Sequence, residues 1–190
     1  MTAAGLRSAY GAEVERALAK YPPERAASAA IELLYLAQVA YGHLTAEAIE
    51  EVAEVLHLDP THVRGLAGFY SLLRERPHGG YVIHVCTDLP CALRGAEELL
   101  ERLCERLGIR PGQTTADGLF TVEAVMCLAA CDRAPLMQVN LEYHYDLDDA
   151  ALDAILADLR RAAAGAGRRP PFGWGPPSDP VPGGVEDLSA

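Results

Sequence analysis

The sequence predicts an α+β protein in three parts: an all-helical bundle, a mixed sheet covered by helices, and an extended tail rich in glycine and proline. Three observations predict it. Apolar residues recur at helical intervals from about residue 10 to 76; the period changes to alternation at Tyr81, after the turn Pro77-His78-Gly79-Gly80; and residues 165–184 hold twelve glycines and prolines in twenty. The expected boundaries are 1–78 for the bundle, 79–162 for the sheet domain and 163–190 for the tail.

In the bundle, a first helix is expected over residues 14–20, ended by Pro22-Pro23. A second covers 24–41, with Ile31, Leu34, Tyr35 and Gln38 at helical spacing, and Gly42 closes it. Thr45 caps a third, whose Ile49, Val52, Ala53 and Leu56 form one apolar stripe; Asp59-Pro60 opens a fourth as a cap followed by proline. Four histidines fall in this half, His43, His57, His62 and His78. Their scattered spacing matches no metal-ligand pattern, so they read as surface or cap residues.

Residues 81–86 alternate valine and isoleucine in the manner of a strand, and 91–107 read as an amphipathic helix. Cys104 falls in that helix's stripe of Leu93, Ala96, Leu100, Leu103 and Leu107, where a free thiol packs as a small hydrophobe. A Gly/Thr/Asp loop at 112–118 leads to an apolar run at 119–125, a loop with Cys127 and Cys131, a strand at 136–140, a short strand near Tyr143 and a closing helix at 148–161. The order β-α-β-β-β-α is a thioredoxin-like layout. The tail holds the only tryptophan, Trp174, beside Phe172 and after Arg168-Arg169. It reads either as an inert extension or as an arm that anchors on a partner through those rings.

Composition excludes several classes of function. With 16 basic against 27 acidic residues the net charge is −11, which repels nucleic acid and anionic lipid. The first residues contain no apolar core of signal-peptide length, and no stretch approaches the roughly 18 to 20 apolar residues of a membrane span. A cytoplasmic protein is expected. In that reducing compartment paired cysteines read as metal ligands or redox groups rather than disulfides.

Four of the five cysteines form two tight pairs, Cys86 with Cys91 and Cys127 with Cys131. The first pair lies where a strand hands over to a helix after Pro90, and unpaired N–H groups at a helix start favour the thiolate that binds a metal. Structural zinc usually takes pairs with two residues between the cysteines, and a dithiol oxidoreductase also needs two intervening residues with a nucleophile at the helix start. A [2Fe–2S] cluster accepts varied spacings, although this one differs from the plant-type ferredoxin run. Spacing favours the cluster and leaves zinc and thiol exchange open.

A wider set of residues carries a family resemblance. Leu36-Ala37-Gln38, Glu50-Glu51-Val52-Ala53, Gly68-Phe69-Tyr70-Ser71, Val85 to Cys91 with Arg94 to Leu99, Asp117 to Thr121, and Cys127 to Cys131 followed by Ala134-Pro135 and Val139-Asn140 resemble the E-type subunit of bacterial NADH:quinone oxidoreductase, respiratory complex I. The resemblance runs from about Tyr21 to Leu159. It implies a helical bundle followed by a thioredoxin-like ferredoxin domain with one [2Fe–2S] cluster on Cys86, Cys91, Cys127 and Cys131. It also implies a flavoprotein partner that binds NADH and FMN, the large iron–sulfur subunit of the same complex, and a place on the cytoplasmic face of the inner membrane. The chain would carry single electrons to or from the partner's flavin, with no catalytic residue of its own. The same module serves NAD-linked formate dehydrogenases and hydrogenases, and a freestanding ferredoxin is a further reading. Asp88, Arg94, Asp132 and Arg133 flank the cysteines and are expected to tune the cluster, dock the partner or stay solvated. Members of the family commonly carry glycine where this chain has Ala129, and a methyl group there is expected to crowd the sulfurs or work against a positive φ.

Overall fold

The structure, a computed structural model, describes residues 5–166. The described residues divide between Pro77 and His78 into two compact units. Arg168, Arg169, Phe172 and Trp174, the expected anchors of an arm, lie outside the described residues.

The first unit consists of α1 (Leu6–Leu18), a 3-10 segment (Pro23–Ala29), α2 (Ala30–Tyr41), α3 (Ala46–Leu56) and α4 (Pro60–Phe69). Of the expected stripes, Leu34, Gln38, Ile49, Val52, Ala53 and Leu56 are buried while Ile31 and Tyr35 are half-buried; Leu33, Val63, Leu6 and Val14 complete the core. Thr45 caps α3 by accepting from the Ala48 amide, Asp59 caps α4 by accepting from the Thr61 amide, and Gly42 ends α2 at a φ of 81°. Two elements differ from expectation. The first helix starts at Leu6, whose amide donates to Glu51 Oε2 at 2.6 Å, so its first turn is held by a carboxylate far along the chain. The helix expected from residue 24 is α-helical only from Ala30, because Arg25 at φ −121° and ψ 20° breaks the run. Gln38, on the buried stripe, accepts from the Arg74 amide through Oε1 and donates to the Leu72 carbonyl through Nε2.

The second unit is built on β1 (Tyr81–Cys86), a one-turn helix α5 (Leu89–Ala92), α6 (Ala96–Leu107), β2 (Phe120–Val125), a 3-10 turn (Cys131–Arg133), β3 (Met137–Val139), β4 (Glu142–His144) and α7 (Asp149–Ala166). The sheet order is β2-β1-β3-β4. β1 and β2 run parallel, which requires the crossover that α6 supplies, and β3 and β4 run antiparallel as a hairpin beside β1. Central β1 is buried along its whole length. Ile83, Val85, Phe120, Val122 and Met137 pack with Leu99 and Leu103 of α6 and Leu152 and Leu156 of α7. Cys104 joins that core, as its place in the stripe requires.

The helix expected over 91–107 is two elements. Gly95 takes a φ of 86°, turning the chain between α5 and α6, and Leu93, expected in the apolar stripe, is 79% exposed. The closing helix runs to Ala166, past residue 161.

Candidate metal centre

Strand register brings the two cysteine loops together. In the parallel β1–β2 pair Cys86 lies opposite Val125, two residues before Cys127. Both strands therefore release their loops at the same end of the sheet. The loops are tied there: the amide and hydroxyl of Thr87 both donate to the Val125 carbonyl, at 2.9 and 3.2 Å. The Cys86 amide donates to the Leu136 carbonyl, which brings the chain after Cys131 to the same end.

The first pair is buried. Asp88 caps α5, its Oδ1 accepting from the Leu89 amide at 3.0 Å, and its carbonyl accepts from the Cys91 amide at 2.9 Å. That single turn places Cys91 in one apolar cluster with Cys86, Ala96, Ala134 and Leu136. The second pair is exposed, with Cys127 Sγ and Cys131 Sγ 4.0 Å apart. Between them Ala129 adopts a φ of 60°, and its amide donates to Cys127 Sγ at 3.3 Å. The methyl group is accommodated in a left-handed conformation that glycine adopts more readily. Leu128 and Ala130 of this loop pack against the apolar cluster around Cys86 and Cys91.

The thiols act on one another electrostatically. Burial, then the neighbouring Cys86, pushes the Cys91 thiol up to about 12, with Cys131 and Cys127 adding to the rise. Cys131 is raised by its hydrogen bond with Cys127, then by burial, with Cys86 and Asp88 contributing. Crowded thiols resist joint ionisation, and a bound cation reverses that preference.

This donor set fits a thiolate-bound metal centre. Two sulfurs on one tetrahedral metal, with bonds of about 2.3 Å, are about 3.8 Å apart. The Cys127–Cys131 separation of 4.0 Å lies close to that value. The second loop already directs an amide at a sulfur, as an anionic sulfur site requires. No group of three or more His, Cys, Asp or Glu side chains among the described residues closes around a single ion position.

The comparisons with known proteins identify the chain's family. The sequence model of the thioredoxin-like [2Fe–2S] ferredoxin matches residues 14–160. The chain belongs to that family. An E-type NADH-quinone oxidoreductase subunit of Rhizobium meliloti is 45% identical over 150 residues, covering 79% of this chain and 88% of the relative. NADH-quinone oxidoreductase subunit 2 of Thermus thermophilus is 46% identical over 148 residues, covering 77% and 82%. A solved NAD+-reducing [NiFe]-hydrogenase is similar at a TM-score of 0.61 and 29% identity, over 68% of this chain and 22% of that one. Family membership makes this chain a [2Fe–2S] protein, and its α+β architecture is the family's.

Of the four charged residues flanking the cysteines, Asp88 caps α5, Arg133 pairs with Asp146, and Arg94 and Asp132 are exposed. His43 and His78 are half-buried, and His57 and His62 are exposed, with His57 ending α3 at a φ of 55°. Sequence reasoning overlooked the exposed apolar residues. Among the described residues of this unit the exposed large apolar side chains are Leu89, Leu93, Met126 and Tyr143. The first three are sequence neighbours of Cys91 and Cys127, and Tyr143 reaches the Cys127–Cys131 loop by a hydrogen bond. The available signal was the large apolar Leu89 and Met126 beside cysteines and outside any expected stripe.

Proposed function

We propose that this chain is the electron-transfer subunit of the NADH dehydrogenase module of a respiratory complex I, part of an NADH:quinone oxidoreductase. Its [2Fe–2S] cluster is held by Cys86, Cys91, Cys127 and Cys131. The partner is a flavoprotein subunit that binds NADH and FMN, with the large iron–sulfur subunit of the same complex beside it. When bound, such a cluster takes up and gives back one electron at a time. The names and 45% and 46% identities of the two relatives support the host.

The observation that carries the reading is the unequal burial of the two cysteine pairs. Cys86 and Cys91 fix the site to the sheet, while Cys127 and Cys131 reach the surface, and the sequence neighbours Leu89, Leu93 and Met126 are exposed as well. Electron exchange with a partner requires such a short path through protein, and exposed apolar side chains exclude water when the partner docks. Asp88, Arg94 and Asp132, next to the cysteines in sequence, would supply polar groups for registering the partner. The complex sits on the cytoplasmic side of the inner membrane as a peripheral assembly; no helix among the described residues is long and apolar enough to cross a membrane.

The structural similarity to an NAD+-reducing hydrogenase supports a second host, an NAD-linked hydrogenase using the same module; a formate dehydrogenase is a further alternative. Purification with native partners distinguishes them. The complex I reading expects a flavoprotein and a large iron–sulfur subunit without a nickel or formate-oxidising subunit. On the isolated chain, iron and acid-labile sulfide at two each are expected, and Cys127→Ser should bleach or shift the visible absorption and the reduced-state EPR signal. One zinc per chain with no colour would sink the cluster assignment.

A further inference from the structure

The exposed cysteine loop is gripped at both ends by one strap, residues 143–146. Tyr143, on the sheet's edge strand β4, donates its hydroxyl hydrogen to the Leu128 carbonyl at 2.8 Å, between Cys127 and Ala129. Beyond Cys131, Arg133 directs Nε and a terminal nitrogen at Asp146 Oδ2, at 2.9 and 2.7 Å. The Asp146 amide donates back to the Arg133 carbonyl at 3.0 Å. Tyr145 joins the two grips. Its ring stacks on Tyr143 with centroids 5.5 Å apart and planes 6° apart, and the Arg133 guanidinium lies 4.4 Å over its centroid.

We infer that Tyr143, Tyr145, Arg133 and Asp146 are positioning residues that fix Cys127 and Cys131, and with them the electronic environment of the cluster the chain would hold. The inference rests on the cluster reading above. The stability contribution of the strap is modest: the ion pair is half-exposed, and exposed pairs contribute little. Its consequence is geometric. The second loop has no regular structure from 126 to 130, and its midpoint Ala129 holds an unfavourable left-handed angle. Outside contacts at Leu128 and Arg133 therefore set where the two sulfurs and the Ala129 amide stand. The first pair needs no such support, because β1 and the apolar cluster already hold it. Charge and hydrogen bonding at cluster sulfurs set reduction potential, so a loop held from outside places the potential under the control of residues that never touch the metal.

The test uses the full chain purified with its cluster. Tyr143→Phe removes one hydroxyl and keeps the stack; Arg133→Lys keeps the charge and removes the planar, two-nitrogen grip. Both variants should fold with wild-type circular dichroism. Each should show shifted g values in the reduced-state EPR spectrum, a displaced reduction potential, and loss of visible absorption to a chelator about fivefold faster than wild type. Wild-type g values, potential and loss rate in both variants would overturn the positioning role while leaving the cluster assignment standing. A wild-type chain with no [2Fe–2S] signal would overturn both. Because neither substitution is in the core, a variant that fails to fold would mean that the strap holds the domain rather than the loop, and would likewise count against the inference.

Discussion

The amide of Ala129 donates to Cys127 Sγ across 3.3 Å from a backbone held at a φ of 60°. A left-handed alanine costs roughly 1–2 kcal/mol, and the amide it presents is a donor to a sulfur that becomes anionic when it binds a metal. Ala129→Gly relieves that cost while giving the unfolded chain more freedom, worth about 0.4–1 kcal/mol, so its net effect on stability should stay within about 1 kcal/mol. Ala129→Val places a β-branched residue at a positive φ and should destabilise the loop by roughly 1–3 kcal/mol. Urea unfolding and iron content of both variants check this. A valine variant with full iron and unchanged stability would show that the loop does not need the left-handed angle.

The cysteine pairs should differ in the metal-free protein. Cys86, Cys91 and Cys104 are buried and Cys127 and Cys131 exposed, so alkylation followed by mass mapping should label the second pair at least tenfold faster. Cys91, raised from an ordinary 9.0 to about 12, keeps its proton in the folded state at a pH where the unfolded chain has lost it. Its contribution to metal-free stability is thus complete below pH 9 and declines as pH rises toward 12. Comparing the metal-free wild type with Cys91→Ala at pH 8 and pH 10 should show the wild type losing more stability over that step. Equal losses would remove Cys91 from the pH response.

Gly79 is held against β2 too closely for a side chain. A Cβ there would stand 2.7 Å from the Phe120 carbonyl carbon and 2.8 Å from the Leu119 oxygen and Thr121 nitrogen, all of them backbone atoms. The Gly79 amide also donates to Thr121 Oγ1 at 2.6 Å, and that hydroxyl bonds Thr114 Oγ1 at 2.8 Å. Gly79→Ala should push the entry of β1 away from β2 and destabilise the second unit by about 2–3 kcal/mol. Thermal melts followed in the near ultraviolet would detect it, and an unchanged melt would mean that the segment before β1 relaxes freely.

Local signals were legible from sequence wherever one residue acts on its own chain neighbourhood. The caps at Thr45 and Asp59, the glycine stop at Gly42, the strand at Tyr81–Cys86 and the burial of Cys104 all follow from patterns a few residues long. The break at Gly95 was not legible as a break, because the apolar period continues through Leu93 even though the backbone turns there at a φ of 86°. The cysteine pairs stood out by spacing, yet what brings them together is the Cys86–Val125 register, set by a crossover rather than by local pattern. The strap was invisible for the same reason. Arg133 read as a flanking charge, and its partners Tyr145 and Asp146 lie across a hairpin whose short strands carry almost no periodic signal.

Asn140 closes that hairpin onto β1 with three hydrogen bonds. Its Oδ1 accepts from the Val82 amide at 2.8 Å, its Nδ2 donates to the Gly80 carbonyl at 2.9 Å, and its own amide donates to the Val82 carbonyl at 3.0 Å. It does so at a φ of 46°, where asparagine is better tolerated than other residues bearing a Cβ. Asn140→Ala leaves the Val82 amide and the Gly80 carbonyl without those partners and keeps an unfavourable backbone angle, a combined loss of about 2–4 kcal/mol. Asn140→Asp keeps the acceptor for Val82 but turns a carboxylate oxygen toward the Gly80 carbonyl, so it should also destabilise while the Val82 contact is kept. The Val82 amide sits on β1, four residues before Cys86, and the hairpin carries Tyr143. Asn140→Ala should therefore speed amide hydrogen exchange at Val82 first and accelerate cluster loss second, while Asn140→Asp leaves exchange at Val82 close to wild type. Equal exchange at Val82 in both variants would mean that the side-chain oxygen does not hold the strand.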